Sequence, residues 1–66
     1  MTLEFSRKLY SLEAVSAARD AYNEFARFSI EEKGEKIIVT IDGVTPEIEP
    51  STLCGEFGNQ VLSEMA

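Results

Sequence analysis

The chain predicts a small α+β domain of β-α-β-β-α order, a two-layer fold with a three-stranded antiparallel sheet (order 2-3-1) and two helices on one face. Three observations carry this. Residues 26–41, ARFSIEEKGEKIIVTI, alternate apolar and polar on both sides of Lys33-Gly34, as a β-hairpin does. Val15, Ala18, Tyr22 and Phe25 fall at 3-4-3 spacing, and Leu53, Phe57, Val61 and Met65 recur every fourth residue, the mark of two amphipathic helices. The length of 66 residues allows one domain, 1–66, with a core that is marginal without help from a partner or a second copy.

A first strand spans residues 2–9, where Leu3, Phe5 and Leu9 alternate with polar residues and Arg7 interrupts the apolar set. Ser11 is placed to cap a helix over residues 12–24, because its hydroxyl can accept from a free N–H of the first turn. Glu13 meets the positive end of that helix dipole. Ala14, Ala17 and Ala21 widen the apolar stripe, and Arg19, Asp20 and Asn23 take the wet side.

In the hairpin, Lys33-Gly34 as a two-residue turn uses Gly34 for the positive φ that tight turns need. Ile30 then faces Ile37, Phe28 faces Val39, Ala26 faces Ile41, and Glu31 stands opposite Lys36. Ala26, Phe28, Ile30, Ile37, Val39 and Ile41 share the covered face; Arg27, Ser29, Glu31, Lys36, Ile38 and Thr40 share the open one. A longer loop would keep the same facing. The strand 37–41 is the most apolar and takes the centre, with the first strand antiparallel beside it and the first crossover right-handed. The alternative sets the first strand parallel beside the second.

Pro46 and Pro50 keep residues 44–50 extended, since a proline pushes the residue before it out of helical geometry. A second helix opens at Pro50-Ser51 or Ser51-Thr52 and runs to the C-terminus, with Cys54 and Leu62 beside its stripe. Gly55 and Gly58 each cost roughly 1 kcal/mol against alanine inside a helix. That cost predicts close packing of both glycines on the alanine-rich first helix or on the sheet.

Composition narrows the function. Net charge is −6: residues 1–36 hold all six basic and seven acidic residues, and residues 37–66 add Asp42, Glu47, Glu49, Glu56 and Glu64 without a base. Such a chain repels phosphate, so no nucleic-acid partner is expected. The acidity serves solubility, with an acidic face for a basic partner as the sharper alternative. A single cysteine allows no intrachain disulfide and fits a reducing compartment. No apolar run approaches the roughly 20 residues of a membrane span, and no signal-peptide pattern opens the chain. A cytoplasmic location away from membranes is therefore expected.

The chain holds no histidine, so the commonest general base and a common metal ligand are missing. Cys54 near a helix start has no such partner and reads as buried filler. Asp42, Glu47 and Glu49 lack the spacing of a calcium loop, and the glycines match no phosphate-binding or dinucleotide motif. No catalytic residue, metal site or cofactor is expected, and the chain does not read as an enzyme.

Two segments carry more. Tyr10-Ser11-Leu12-Glu13-Ala14-Val15, continued by Ala17-Ala18 and Ala21-Tyr22, and Gly55-Glu56-Phe57-Gly58-Asn59-Gln60-Val61-Leu62 together resemble the small HxsD-like proteins of the His-Xaa-Ser peptide systems. In that family a Tyr-Ser-Leu-Glu-Ala start leads the first helix, and a Gly-Glu-Phe-x-Asn-x-x-Leu pattern lies in the last. The resemblance implies a non-catalytic accessory protein that works beside radical S-adenosylmethionine (SAM) enzymes during peptide modification, binding the enzyme or its precursor peptide. It implies no catalytic residue. The alternative is a small structural domain that self-associates as a homodimer and has no enzyme partner.

Five residues are candidates for partner binding. Glu56 and Asn59 interrupt the apolar stripe of the second helix within the segment that carries the resemblance. Arg27, Ser29 and Glu31 lie on the second strand, which the 2-3-1 order leaves at an edge, where a peptide or a second copy could add a strand.

Overall fold

Five elements follow one another in the computed structural model, which describes residues 1–66: β1 (Thr2–Ser6), α1 (Leu12–Tyr22), β2 (Arg27–Lys33), β3 (Lys36–Asp42) and α2 (Pro50–Met65). β3 pairs antiparallel with both other strands, giving the order β1-β3-β2. The expected topology holds, and the first strand does not lie parallel beside the second.

The hairpin register differs from the expected one. Lys33 pairs with Lys36, so the two-residue turn is Gly34-Glu35 rather than Lys33-Gly34. Gly34 has φ +63°, and no non-glycine residue has positive φ. Positive φ at the first turn position alone is the type II′ pattern, which places glycine there and leaves Lys33 extended. Moving the turn by one residue moves each cross-strand partner by two. Ile30 therefore faces Val39, Phe28 faces Ile41, and Glu31 faces Ile38 instead of Lys36. An even shift leaves every side chain on its expected face. Lys36 pairs instead with Glu4 of β1, 3.1 Å from Nζ to the carboxylate.

Ile37, Val39 and Ile41 are buried on the helix side of β3, and Leu3 and Phe5 of β1 and Phe28 and Ile30 of β2 pack beside them. Ala14, Val15 and Ala18 of α1 and Leu53, Phe57 and Val61 of α2 close the core from above. Phe57 is fully buried between the two edge strands. Its ring stacks on Phe28 at 5.0 Å and 17°, and lies 6.2 Å from Phe5. Phe5 in turn meets Tyr10 edge-on at 5.2 Å, which pins the entry to α1.

Several boundaries move. β1 ends at Ser6, not residue 9, because the Ser6 carbonyl accepts the N–H groups of Leu9 and Tyr10 and turns the chain. Leu9 consequently points outward and is 70% exposed. Ser11 caps α1 as expected, its Oγ accepting from Ala14 N–H at 3.1 Å. That helix stops at Tyr22 instead of Glu24, where Phe25 N–H turns back to the Tyr22 carbonyl. Ala21 is exposed and so lies outside the stripe expected to include it. α2 begins at Pro50, whose missing N–H costs nothing at the first helical position. Its last expected stripe residue, Met65, is exposed and lies at the entry to α1, its sulfur accepting from Ser11 N–H at 3.4 Å.

Candidate interaction surfaces

The sheet has one open face. Reading across β1, β3 and β2, its central rows are Glu4, Ile38, Glu31 and Thr2, Thr40, Ser29, with Asp42 and Arg27 at one end. Arg27 Nε donates to the Asp42 carboxylate at 3.1 Å. Ser29 and Glu31 are exposed, and Glu31 enters no ion pair within the chain.

Backbone direction adds what side chains do not show. Met1 exchanges hydrogen bonds with Ile41, and Arg7 N–H donates to the Glu35 carbonyl. The odd residues of β3 therefore turn their backbone groups toward β1, and its even residues turn theirs toward β2. By the register, Arg27, Ser29, Glu31 and Lys33 of β2 are the residues bonded to β3. The N–H and C=O groups on the outer edge belong to Phe28, Ile30 and Glu32, and no loop, turn or cap hydrogen bond reaches them. The expected edge is thus present, but its free amides are not those of Arg27, Ser29 and Glu31.

The second surface is the outward side of α2. Ser51, Gly55, Gly58 and Leu62 follow one another at 4-3-4 spacing, on the side away from Leu53, Phe57 and Val61. The expected close packing of the glycines does not occur. A Cβ built on Gly55 or Gly58 would have no atom of another element within 4 Å, and Gly55 is exposed. The reason is rotational: the core stripe 53-57-61 fixes the roll of the helix, carrying Gly55 outward and leaving Gly58 half-buried at its side, clear of other elements. Glu56 and Asn59 flank them, exposed, while the side-chain hydrogen bonds involving α2 join Ser51 to Glu49, Gln60 to Glu64, Cys54 to Met1 and Ser11 to Met65. Leu62 is 54% exposed.

The five candidate residues thus form two groups on opposite sides of the molecule. Glu56 and Asn59 cap the helix layer; Arg27, Ser29 and Glu31 lie under the sheet. One open depression, lined by Glu4, Phe5, Ser6, Glu35 and Lys36, is occupied at its rim by the Glu4–Lys36 ion pair. Cys54 is half-buried, with its thiol 3.7 Å from the Met1 sulfur. Nowhere do three cysteine, aspartate or glutamate side chains converge as metal ligands would. No helix is long and apolar enough to cross a membrane.

No family model, no curated protein and no solved structure matches the chain.

Proposed function

We propose that this is a non-catalytic accessory protein that docks, through the outward side of α2, onto a radical SAM enzyme or its precursor peptide. One observation carries the reading: the segment that resembles the HxsD-like proteins exceeds what the core uses. Of residues 55–62, Phe57 and Val61 are buried, while Gly55, Glu56, Asn59 and Leu62 face outward. Two glycines inside a helix weaken it by roughly 1 kcal/mol each, and nothing in this chain packs against either. Small residues beside an exposed leucine let another backbone come close, and Glu56 and Asn59 supply polar groups at the rim. The protein contributes binding and no cofactor of its own, and it works in the cytoplasm.

The experiment compares the wild type with the double variant Glu56→Ala, Asn59→Ala. Each is mixed with a radical SAM enzyme and a His-Xaa-Ser precursor peptide from the same gene cluster, and complex formation is followed by calorimetry. The wild type is expected to bind one of the two. The variant is expected to lose at least about tenfold in affinity, roughly 1.4 kcal/mol, with an unchanged melting temperature. Equal binding by the variant, or no binding by the wild type to either probe, overturns the reading.

A further inference from the structure

We propose that a second copy of this chain docks on the free edge of β2, joining two sheets into one of six antiparallel strands with Ser29 at the two-fold axis. The choice of edge follows from the strands themselves. β1 has five residues, its Ser6 carbonyl already accepts from Leu9 and Tyr10, and Glu4 sits at its centre. β2 has seven residues, no proline, and outward groups on Phe28, Ile30 and Glu32 that no other segment takes up. Such an edge is a template for another strand. Of the two edge strands it is also the electrically neutral one, since Arg27 and Lys33 balance Glu31 and Glu32, whereas β1 carries Glu4 alone.

Charge then selects the register. Only the even residues of β2 can form the hydrogen-bonded pairs across this edge. With the two-fold axis at Ser29, Phe28 exchanges hydrogen bonds with Ile30 of the second copy, and Ile30 with its Phe28, four bonds in all. These half-buried side chains meet on the helix side and extend the apolar layer. On the open side, Arg27 meets Glu31 of the second copy, and Glu31 meets its Arg27, in the close non-hydrogen-bonded positions. Glu31, without an ionic partner in its own chain, gains one. Moving the axis to Ile30 would set Arg27 against Lys33 and Phe28 against Glu32. Moving it to Glu31 would set that carboxylate against itself. The reading is independent of the docking proposed for α2, which uses other residues and other variants.

The test is sedimentation equilibrium in ~0.15 M salt, where net-charge repulsion is screened beyond about 8 Å. The wild type is expected to show a reversible monomer–dimer equilibrium. Glu31→Arg and Arg27→Glu each turn both cross-copy pairs repulsive, and each is expected to weaken association about tenfold or more. Mixing the two variants one to one restores opposite charges at every pair and is expected to restore association as a heterodimer. This result also shows that both variants fold. Amide exchange at Phe28 and Ile30 is expected to slow as protein concentration rises. A wild type that stays monomeric to ~1 mM, variants that dimerise like the wild type, or a mixture that fails to associate overturns the proposal. So does exchange at Phe28 and Ile30 that slows only when a His-Xaa-Ser peptide is added, because the edge then belongs to the peptide.

Discussion

Replacing Gly55 and Gly58 by alanine should make this protein more stable, although both lie in the segment of greatest functional interest. Neither has positive φ, and an added Cβ meets no atom of another element at either position. The methyl group therefore costs no packing, and the change removes backbone freedom from the unfolded chain. Each substitution is worth about 0.5–1 kcal/mol. The two Cβ atoms touch no common partner, so the effects should add to roughly 1–2 kcal/mol. For a domain of this size, each kcal/mol moves the midpoint by about 4–8 °C, so the double variant should melt roughly 5–15 °C higher. Thermal and urea unfolding followed by circular dichroism measure this directly. Gly34→Ala is the internal control. It makes the same chemical change with equally free space, but at φ +63°. There alanine costs about 1–2 kcal/mol, so the sign should reverse. If Gly58→Ala destabilises instead, α2 is rolled from the orientation described and the outward face of α2 is wrongly assigned.

Phe57→Ala should remove about 3–5 kcal/mol of the roughly 3–10 kcal/mol available to 66 residues, the largest loss of any single substitution considered, read as a lowered urea midpoint by circular dichroism. Leu62→Ala, one turn along the same helix but exposed, should stay within about 0.5 kcal/mol of wild type by urea titration. Ser11→Ala removes the acceptor for Ala14 N–H and should cost about 1 kcal/mol, while Ser11→Asp should recover most of it.

The side-chain pattern determined most of the fold, and the places where it failed share a cause. Apolar spacing placed both helices and the hairpin, because burying Ile37, Val39, Ile41, Leu53, Phe57 and Val61 decides which way each element faces. The same spacing is blind to a turn that slides by one residue. Turns at Lys33-Gly34 and at Gly34-Glu35 put identical side chains on the covered face, so hydrophobicity cannot choose between them. They reverse which amides of β2 point outward, so the apolar pattern identifies the edge strand but not its free backbone groups. The signal that separates the two is the chemistry of the turn: a type II′ turn wants glycine first. Gly55 and Gly58 depart from the expected packing for a related reason. A glycine in a helix says that a side chain is missing, and only the position relative to the 53-57-61 stripe says on which side. Leu9 and Met65 follow the apolar period and still lie outside the core, Leu9 because β1 ends at Ser6 and Met65 because the last turn of α2 lies beside the entry to α1.

The ion pairs around the hairpin turn have a kinetic consequence. Arg7, Lys8 and Lys36 are bonded to Glu32, Glu35 and Glu4. With Lys33 and Glu31 included, that end of the sheet carries four charges of each sign and is neutral. The whole of the −6 therefore resides on the helices, the α1–β2 turn, the loop 44–49 and the far end of the β2–β3 hairpin, as Glu13, Asp20, Glu24, Asp42, Glu47, Glu49, Glu56 and Glu64 against Arg19 and Arg27. The molecule is electrically lopsided. A basic protein is drawn toward the helix layer at rates that fall steeply with ionic strength, while the sheet end exerts little long-range pull. The slope of association rate against salt thus reports which side a partner uses, before any complex has been imaged.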